Sequence, residues 1–157
     1  MIKAKPTRYN GVLYRSKSEA MLAVCFDAWG WAFEYEPRLR SMPSFKPDFL
    51  IKHSDNRLRV IEYKPKRPTD LYTRDLFRKF RTLIFNNEKD QDRLSCELWC
   101  VDFWNATSEA LFINYEKMIP SRLQGIEQQD FSFGSNFRFD LTEYPEAKVD
   151  LTKIIPE

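Results

Sequence analysis

The sequence predicts an α/β fold, a mixed sheet flanked by helices with a C-terminal addition. Three observations predict it. Apolar stretches of strand length at 31–36, 46–52 and 58–64 follow one another across short gaps. Segments with helix-spaced apolar residues stand before and after them. The 157 residues, 43% hydrophobic and 15% aromatic, suffice to bury the core of one ordinary domain.

The elements follow in order. Ser16 or Ser18 can cap a helix running to about Trp29, with Ala20, Leu22, Ala23, Phe26 and Ala28 or Trp29 as its apolar stripe. Gly30 ends it. Trp31 to Glu36 alternates as a strand and stops at Pro37. Arg38 to Ser44 is a loop, and Lys46 to Lys52 a second strand. His53 to Arg57 is a turn, in which Asp55-Asn56 suits positive φ. Leu58 to Lys64 is a third strand, ended by Pro65 and Pro68. Thr69 or Asp70 caps a second helix to about Asn86, with Leu71, Leu76, Phe77, Phe80 and Ile84 inward. Ser95 to Phe103 reads as a fourth strand. Ser108 to Met118 is expected to be helical and to stop before Pro120. Phe131–Phe133 and Phe137–Phe139 flank Gly134-Ser135-Asn136 as a hairpin expected to serve as core, dimer arm or partner surface. The expected organisation is a core over residues 1–104 and an extension over 105–157, a helix and a hairpin.

Bulk properties narrow the function. No apolar run approaches the roughly 20 residues that span a bilayer, and the first residues lack the apolar core of a signal peptide, so a cytoplasmic protein without membrane contact is expected. Cys25, Cys96, Cys100 and the single His53 lack zinc spacing and read as buried thiols and a turn residue. A net charge of +2 is uninformative, but its distribution is not. Residues 1–17 carry Lys3, Lys5, Arg8, Arg15 and Lys17 without an acid. Residues 64–81 carry Lys64, Lys66, Arg67, Arg74, Arg78, Lys79 and Arg81 against Asp70 and Asp75. The chain from Gln124 onward is acidic on balance. A basic front on a nearly neutral protein attracts phosphate, and Arg15, Lys17, Lys66, Arg67, Arg74 and Arg78 are the candidate nucleic-acid contacts.

The chemistry concentrates in Pro47-Asp48 and Glu62-Tyr63-Lys64. Side chains alternate across a strand, so Glu62 and Lys64 share one face and Tyr63 takes the other. If strands 46–52 and 58–64 form an antiparallel hairpin, Asp48 lies opposite the Glu62–Lys64 end. Two carboxylates held together repel, and a divalent cation removes that cost. Mg²⁺ takes hard oxygen ligands and retains waters, and Asp48, Glu62 and the Tyr63 carbonyl are the expected donors, with Mn²⁺ able to substitute. Such a cation activates a water for attack on phosphorus, and Lys64 would hold that water or the phosphate. Glu19, on the first helix, is expected as a further ligand or the holder of a second ion. A bland alternative makes Glu62 and Lys64 a cross-strand ion pair worth about 0.2–1 kcal/mol.

Tyr14-Arg-Ser-Lys-Ser-Glu19, Phe33-Glu-Tyr-Glu-Pro37, Pro47-Asp48-Phe-Leu-Ile51 and Ile61-Glu62-Tyr-Lys64-Pro65 together resemble the PD-(D/E)XK nuclease superfamily. The likeness covers about residues 9–66. Among its members, small phage Holliday-junction resolvases and transposon-type end-cleaving endonucleases look nearest. The resemblance implies a restriction-endonuclease-like αβββαβ core and a metal-dependent DNA endonuclease leaving a 5′-phosphate. It implies Glu19, Asp48, Glu62 and Lys64 as catalytic residues, and DNA, a homodimer or a recombinase or transposase as partners. Pro65 departs from the glycine often found after the lysine, and residues 105–157 match nothing in the resemblance. The alternative from another class is a non-catalytic nucleic-acid- or protein-binding module on the same fold; a structural adaptor using the acidic aromatic tail is a third.

Overall fold

The computed structural model describes residues 5–139, so Lys3 and the part of the acidic tail beyond residue 139 lie outside the described residues. In chain order the elements are β1 (Thr7–Tyr9), β2 (Val12–Tyr14), α1 (Lys17–Ala28), β3 (Ala32–Tyr35), β4 (Phe49–Lys52), β5 (Leu58–Lys64), α2 (Asp70–Asn86), β6 (Leu94–Asp102), β7 (Thr107–Asn114), β8 (Ser121–Arg122) and a single helical turn, α3 (Ser132–Ser135). The run α1, β3, β4, β5, α2, β6 follows the expected order. Two compact units divide the chain: residues 1–29 with 130–157, and residues 30–129.

The first unit contains β1, β2, α1 and α3. Asn10 (φ 49°) and Gly11 (φ 80°) turn β1 back onto β2, two left-handed residues in a row as a tight hairpin requires. Ser16 caps α1 by accepting the Glu19 amide at 3.1 Å. Gly30 follows with φ 75°, the left-handed residue that ends a helix. Residues 19–26 are all buried. The expected hairpin at 131–139 is instead the turn α3, packed on α1. Gly134 is there for close approach, since a Cβ would stand 2.3 Å from the Met21 carbonyl oxygen. Trp29 Nε1 donates to the Asp130 carbonyl at 3.2 Å, and Tyr9 meets Phe137 edge to face at 5.3 Å.

The second unit holds, among the described residues, a six-stranded mixed sheet in the order β3-β4-β5-β6-β7-β8. The α/β class with a mixed sheet is therefore as expected. All neighbours are antiparallel except β5 and β6, whose parallel pairing needs a crossover, supplied by α2. The turn His53–Arg57 closes β4 on β5, with Asn56 at φ 71°. Thr69 caps α2 by accepting the Tyr72 amide at 3.2 Å. Leu76, Phe77, Phe80, Leu83 and Ile84 of α2 bury themselves with Val60, Leu94, Cys96, Leu98, Cys100 and Ile113 of the sheet. Each such large side chain contributes about 1.5–3 kcal/mol. Leu71, expected inward, is 76% exposed. Five residues ahead of Leu76, it stands about 140° around the helix from the buried stripe.

Residues 108–118, expected as a helix, form most of β7 and the turn after it. Ser108 and the run Glu109-Ala110-Leu111 favour a helix locally. The nine-residue strand β6 overrides them, because its free edge carries amide and carbonyl groups that must be paired. β7 pairs with it along its whole length. Residue 104 lies in the loop of that hairpin, so β6 and β7 pair across the boundary expected there.

Candidate functional site

The β4–β5 hairpin builds the site. Its last paired residues are Phe49 and Ile61, so the next step of the register sets Asp48 across from Glu62. Asp48 is 4% exposed and doubly fixed. Its carbonyl accepts the Glu36 amide at 2.8 Å, continuing the β3–β4 pairing. Its Oδ2 accepts the Tyr63 amide, also at 2.8 Å. One carboxylate thus satisfies a backbone donor just past the paired part of the hairpin.

Alternation along β5 puts Val60, Glu62 and Lys64 on the face that α2 covers, and Ile61 and Tyr63 on the other. Tyr63 anchors that other side through its hydroxyl, which donates to the Val101 carbonyl at 2.8 Å. On the α2 side, the Tyr72 hydroxyl donates to Glu62 Oε2 at 3.3 Å. The Lys64 ammonium lies 5.0 Å from the centre of the Tyr72 ring. Burial raises the Tyr72 phenol above its ordinary value, and the negative charges of Glu62 and then Asp48 raise it further. Tyr72 therefore stays protonated and remains a donor. The structure brings together Asp48, Glu62, Tyr63 and Lys64 of the expected set and adds Tyr72, which the sequence did not single out.

Two carboxylates at neighbouring register positions, with the Tyr63 carbonyl next in the chain, make an open oxygen site. That fits Mg²⁺, which binds through one or two carboxylates and keeps waters. It does not fit a closed cage: among the described residues no group of three or more His, Cys, Asp or Glu side chains is placed to hold a metal. The three cysteines are free and buried, and burial pushes the Cys25 thiol up to about 12 and the Cys100 thiol to about 11. None is poised as a nucleophile.

The remaining expected residues fall in both units. Glu19 lies in the first turn of α1, buried, with Arg15 3.7 Å away and largely exposed. Lys17 is exposed beside them. In the second unit Lys66, Arg67, Arg74 and Arg78 are all exposed on the segment that leaves β5 and becomes α2. Arg67 pairs with Glu109 at 3.3 Å and Arg78 with Asp75 at 3.9 Å. Exposed pairs of this kind are worth about 0–1 kcal/mol, so a phosphate can replace the carboxylate at little cost.

A second charged cluster lies on the opposite face of β5 and β6, around Arg59 near the start of β5 and Glu97 midway along β6. Arg59 donates to both oxygens of Glu97, at 2.8 and 2.7 Å, and Trp99 Nε1 donates to Glu97 Oε1 at 2.8 Å. The guanidinium carbon lies 4.8 Å from the Trp31 ring centre and 5.3 Å from that of Trp99. A cavity of about 540 Å³ opens there, and His53 beside it has a buried Nε2 with no hydrogen-bond partner.

Among the described residues no helix is long and apolar enough to cross a membrane. Compared with known proteins, the chain matches no family model, no curated protein and no solved structure.

Proposed function

We propose that the protein is a Mg²⁺-dependent DNA endonuclease of the kind its PD-(D/E)XK-like motifs imply. The observation that carries this reading is the meeting of Asp48, Glu62 and Lys64 at one strand end, with Asp48 fixed on the Tyr63 amide. A divalent cation held by Asp48 and Glu62, with the Tyr63 carbonyl beside them, would supply Lewis acidity at the phosphate and acidify the attacking water. The chain's own residues do the rest. The Tyr63 amide keeps the Asp48 carboxylate in one orientation, and the Tyr72 hydroxyl does the same for Glu62. The Lys64 ammonium, steadied over the Tyr72 ring, lies in reach of a phosphate oxygen and offsets the charge that grows there. Water oxygen bonds to phosphorus, the bond to the 3′-oxygen breaks, and a 5′-phosphate is left. Lys66, Arg67, Arg74 and Arg78 would track the backbone on either side.

Branched DNA and transposon ends are the substrates the motif resemblance favours, with a second copy of the chain or a recombinase as partner. Three buried free thiols fit a reducing, cytoplasmic compartment. The test is purified protein on duplex, nicked, branched and single-stranded DNA with Mg²⁺ or Mn²⁺, alongside Asp48→Ala and Lys64→Ala. Cleavage lost in both variants is expected. Full activity in either, or neither cleavage nor Mg²⁺ binding by the native chain, would overturn the reading. A second reading has one observation in its favour: Asp48 capping the Tyr63 amide is also what a purely structural aspartate would do. A binding module of that kind takes up DNA without Mg²⁺ and shows no thermal response to the metal.

A further inference from the structure

The loop that joins β6 to β7 displays Trp104 with 68% of its surface exposed. Its neighbour Phe103 is buried. The loop is built, not slack. Asp102 Oδ1 accepts the amides of Trp104 and Asn105, each at 3.1 Å, and Asp102 Oδ2 accepts Asn105 Nδ2 at 2.7 Å. Ala106 closes the turn at φ 54°. The hydrogen bonds from Asn105, then that from Trp104 and the charge of Lys66, hold the Asp102 carboxyl below its ordinary value. The charge of Lys66 therefore acts on this loop.

The parallel register fixes where the loop sits. Lys64 pairs with Cys100, and β6 runs two residues further to Asp102. At about 3.3 Å per residue and about 4.8 Å between strands, the Asp102 backbone lies about 8 Å from that of Lys64, and the Trp104 backbone, two residues further, on the order of 10–15 Å. That is about three to four base steps of a nucleic acid strand. An exposed indole on a hydrogen-bonded turn that feels the Lys66 charge, at the candidate cleavage end, combines a stacking face with phosphate-binding charge.

We propose that Trp104 is a stacking platform for an unpaired base of the DNA, within about four nucleotides of the phosphate that is cut. This rests on the nuclease reading and narrows it. The substrate class is DNA with a splayed or single-stranded arm, because bases inside a continuous duplex already cover one another's faces and must be unstacked to reach the indole. The turn held by Asp102 is formed in advance, so little backbone freedom is lost on binding.

The test measures binding of two labelled oligonucleotides to the full chain without divalent metal: a fork with a single-stranded arm, and a fully paired duplex of equal length. The native protein should prefer the fork. Trp104→Ala should weaken fork binding about tenfold while leaving the duplex nearly unchanged, and Trp104→Phe should retain most of the preference. Unaltered fork binding in Trp104→Ala, or an equal loss on both DNAs, would overturn the proposal; so would native protein that binds neither. The two readings fail separately. If no DNA is cut but Trp104→Ala still loses the fork selectively, the platform stands and the nuclease falls. If the native chain cuts and Trp104→Ala binds forks normally, the nuclease stands and the platform falls.

Discussion

β5 carries charge near both of its ends, Arg59 with its β6 partner Glu97 on one face and Glu62 with Lys64 on the other, and the two ends handle it differently. At one end Glu97 is 1% exposed and receives three donors, two from Arg59 and one from Trp99. The pair is bidentate, lies against two indoles and is complete in itself. At the other end Glu62 receives one long bond from a phenol, and the nearby Lys64 leans on the same ring. A carboxylate has about four acceptor sites, so Glu97 is nearly saturated and Glu62 is not. Saturated charge is architecture. A carboxylate with open acceptor sites beside a lysine, as Glu62 is, is equipped to meet something that arrives.

The largest effect that separates the two ends is on cleavage. Asp48→Asn keeps an acceptor for the Tyr63 amide but weakens the proposed metal site, and Lys64→Ala removes the charge proposed to meet the phosphate. Each should cost about a thousandfold or more in cleavage rate, since metal and electrostatic stabilisation are worth several kcal/mol and about 1.4 kcal/mol is a factor of ten. Neither should lower Tm appreciably in the absence of metal. Native protein should gain about 2.7 kcal/mol of stability at Mg²⁺ one hundred times its Kd, and Asp48→Asn should gain almost none. A thermal scan with and without Mg²⁺ checks it, and an equal response in both proteins would erase the distinction between the ends.

Next in size is the effect of opening the saturated end. Glu97→Ala leaves the Arg59 guanidinium largely buried without its carboxylate, and Arg59→Ala does the converse. Each should destabilise by about 3–5 kcal/mol, while replacing both with apolar residues of similar volume should restore most of the loss. Chemical denaturation of the three variants measures this. Single variants as stable as the native chain would show that the pair is not the closed unit its geometry describes.

Much of the Glu62–Lys64 end was legible in the sequence, and little of the Arg59–Glu97 end. Asp48, Glu62 and Lys64 could be gathered because strand alternation and the length of a hairpin decide which side chains meet, and both are local. Ser16 and Thr69 were legible for the same reason: each caps the amide three residues on. Tyr72 was not, since reaching Glu62 depends on how α2 crosses the sheet. The Arg59–Glu97 pair depends on a parallel pairing between segments 38 residues apart, although a lone Glu97 within an apolar strand was a sign that it needed a partner. β7 failed through a conflict of levels, local helix preference against the open edge of β6. The β1–β2 hairpin did carry a signal, Asn10-Gly11, whose residues both suit positive φ.

A smaller effect sharpens the role of Tyr72. Tyr72→Phe keeps the ring under Lys64 and removes only the hydroxyl that orients Glu62. Stability should fall by no more than about 0.5–1.5 kcal/mol, the net worth of one hydrogen bond. Apparent affinity for Mg²⁺ should weaken by a larger factor than stability implies, of the order of tenfold, as expected when a group that orients a metal ligand is lost. Tyr72→Ala, which also removes the ring, should reduce cleavage further through Lys64. Identical metal titrations for Tyr72→Phe and the native protein would make the tyrosine a packing residue only.

The smallest effect belongs to the saturated end and is seen only with pH. Burial, followed by the positive charges of Arg59 and Arg57, lowers the His53 imidazole below its ordinary 6.5, against the weaker opposing pull of Asp55 and Glu97. A histidine depressed in the folded state takes up its proton more readily when the chain unfolds. Its contribution to stability is therefore complete above about pH 6.5 and is lost as the pH falls through the lower folded value. His53 also meets the Trp31 ring edge to face, with centres 4.8 Å apart; His53→Gln cannot be protonated, so it lacks the acid loss while disturbing that contact at every pH alike. Urea unfolding of both proteins at about pH 7.5 and about pH 5 compares the slopes. The native chain should lose more stability on acidification than His53→Gln. Equal losses would mean that His53 is as easily charged in the fold as out of it. The cluster around Arg59 would then be open to solvent after all, and closer in kind to the other end of its strands.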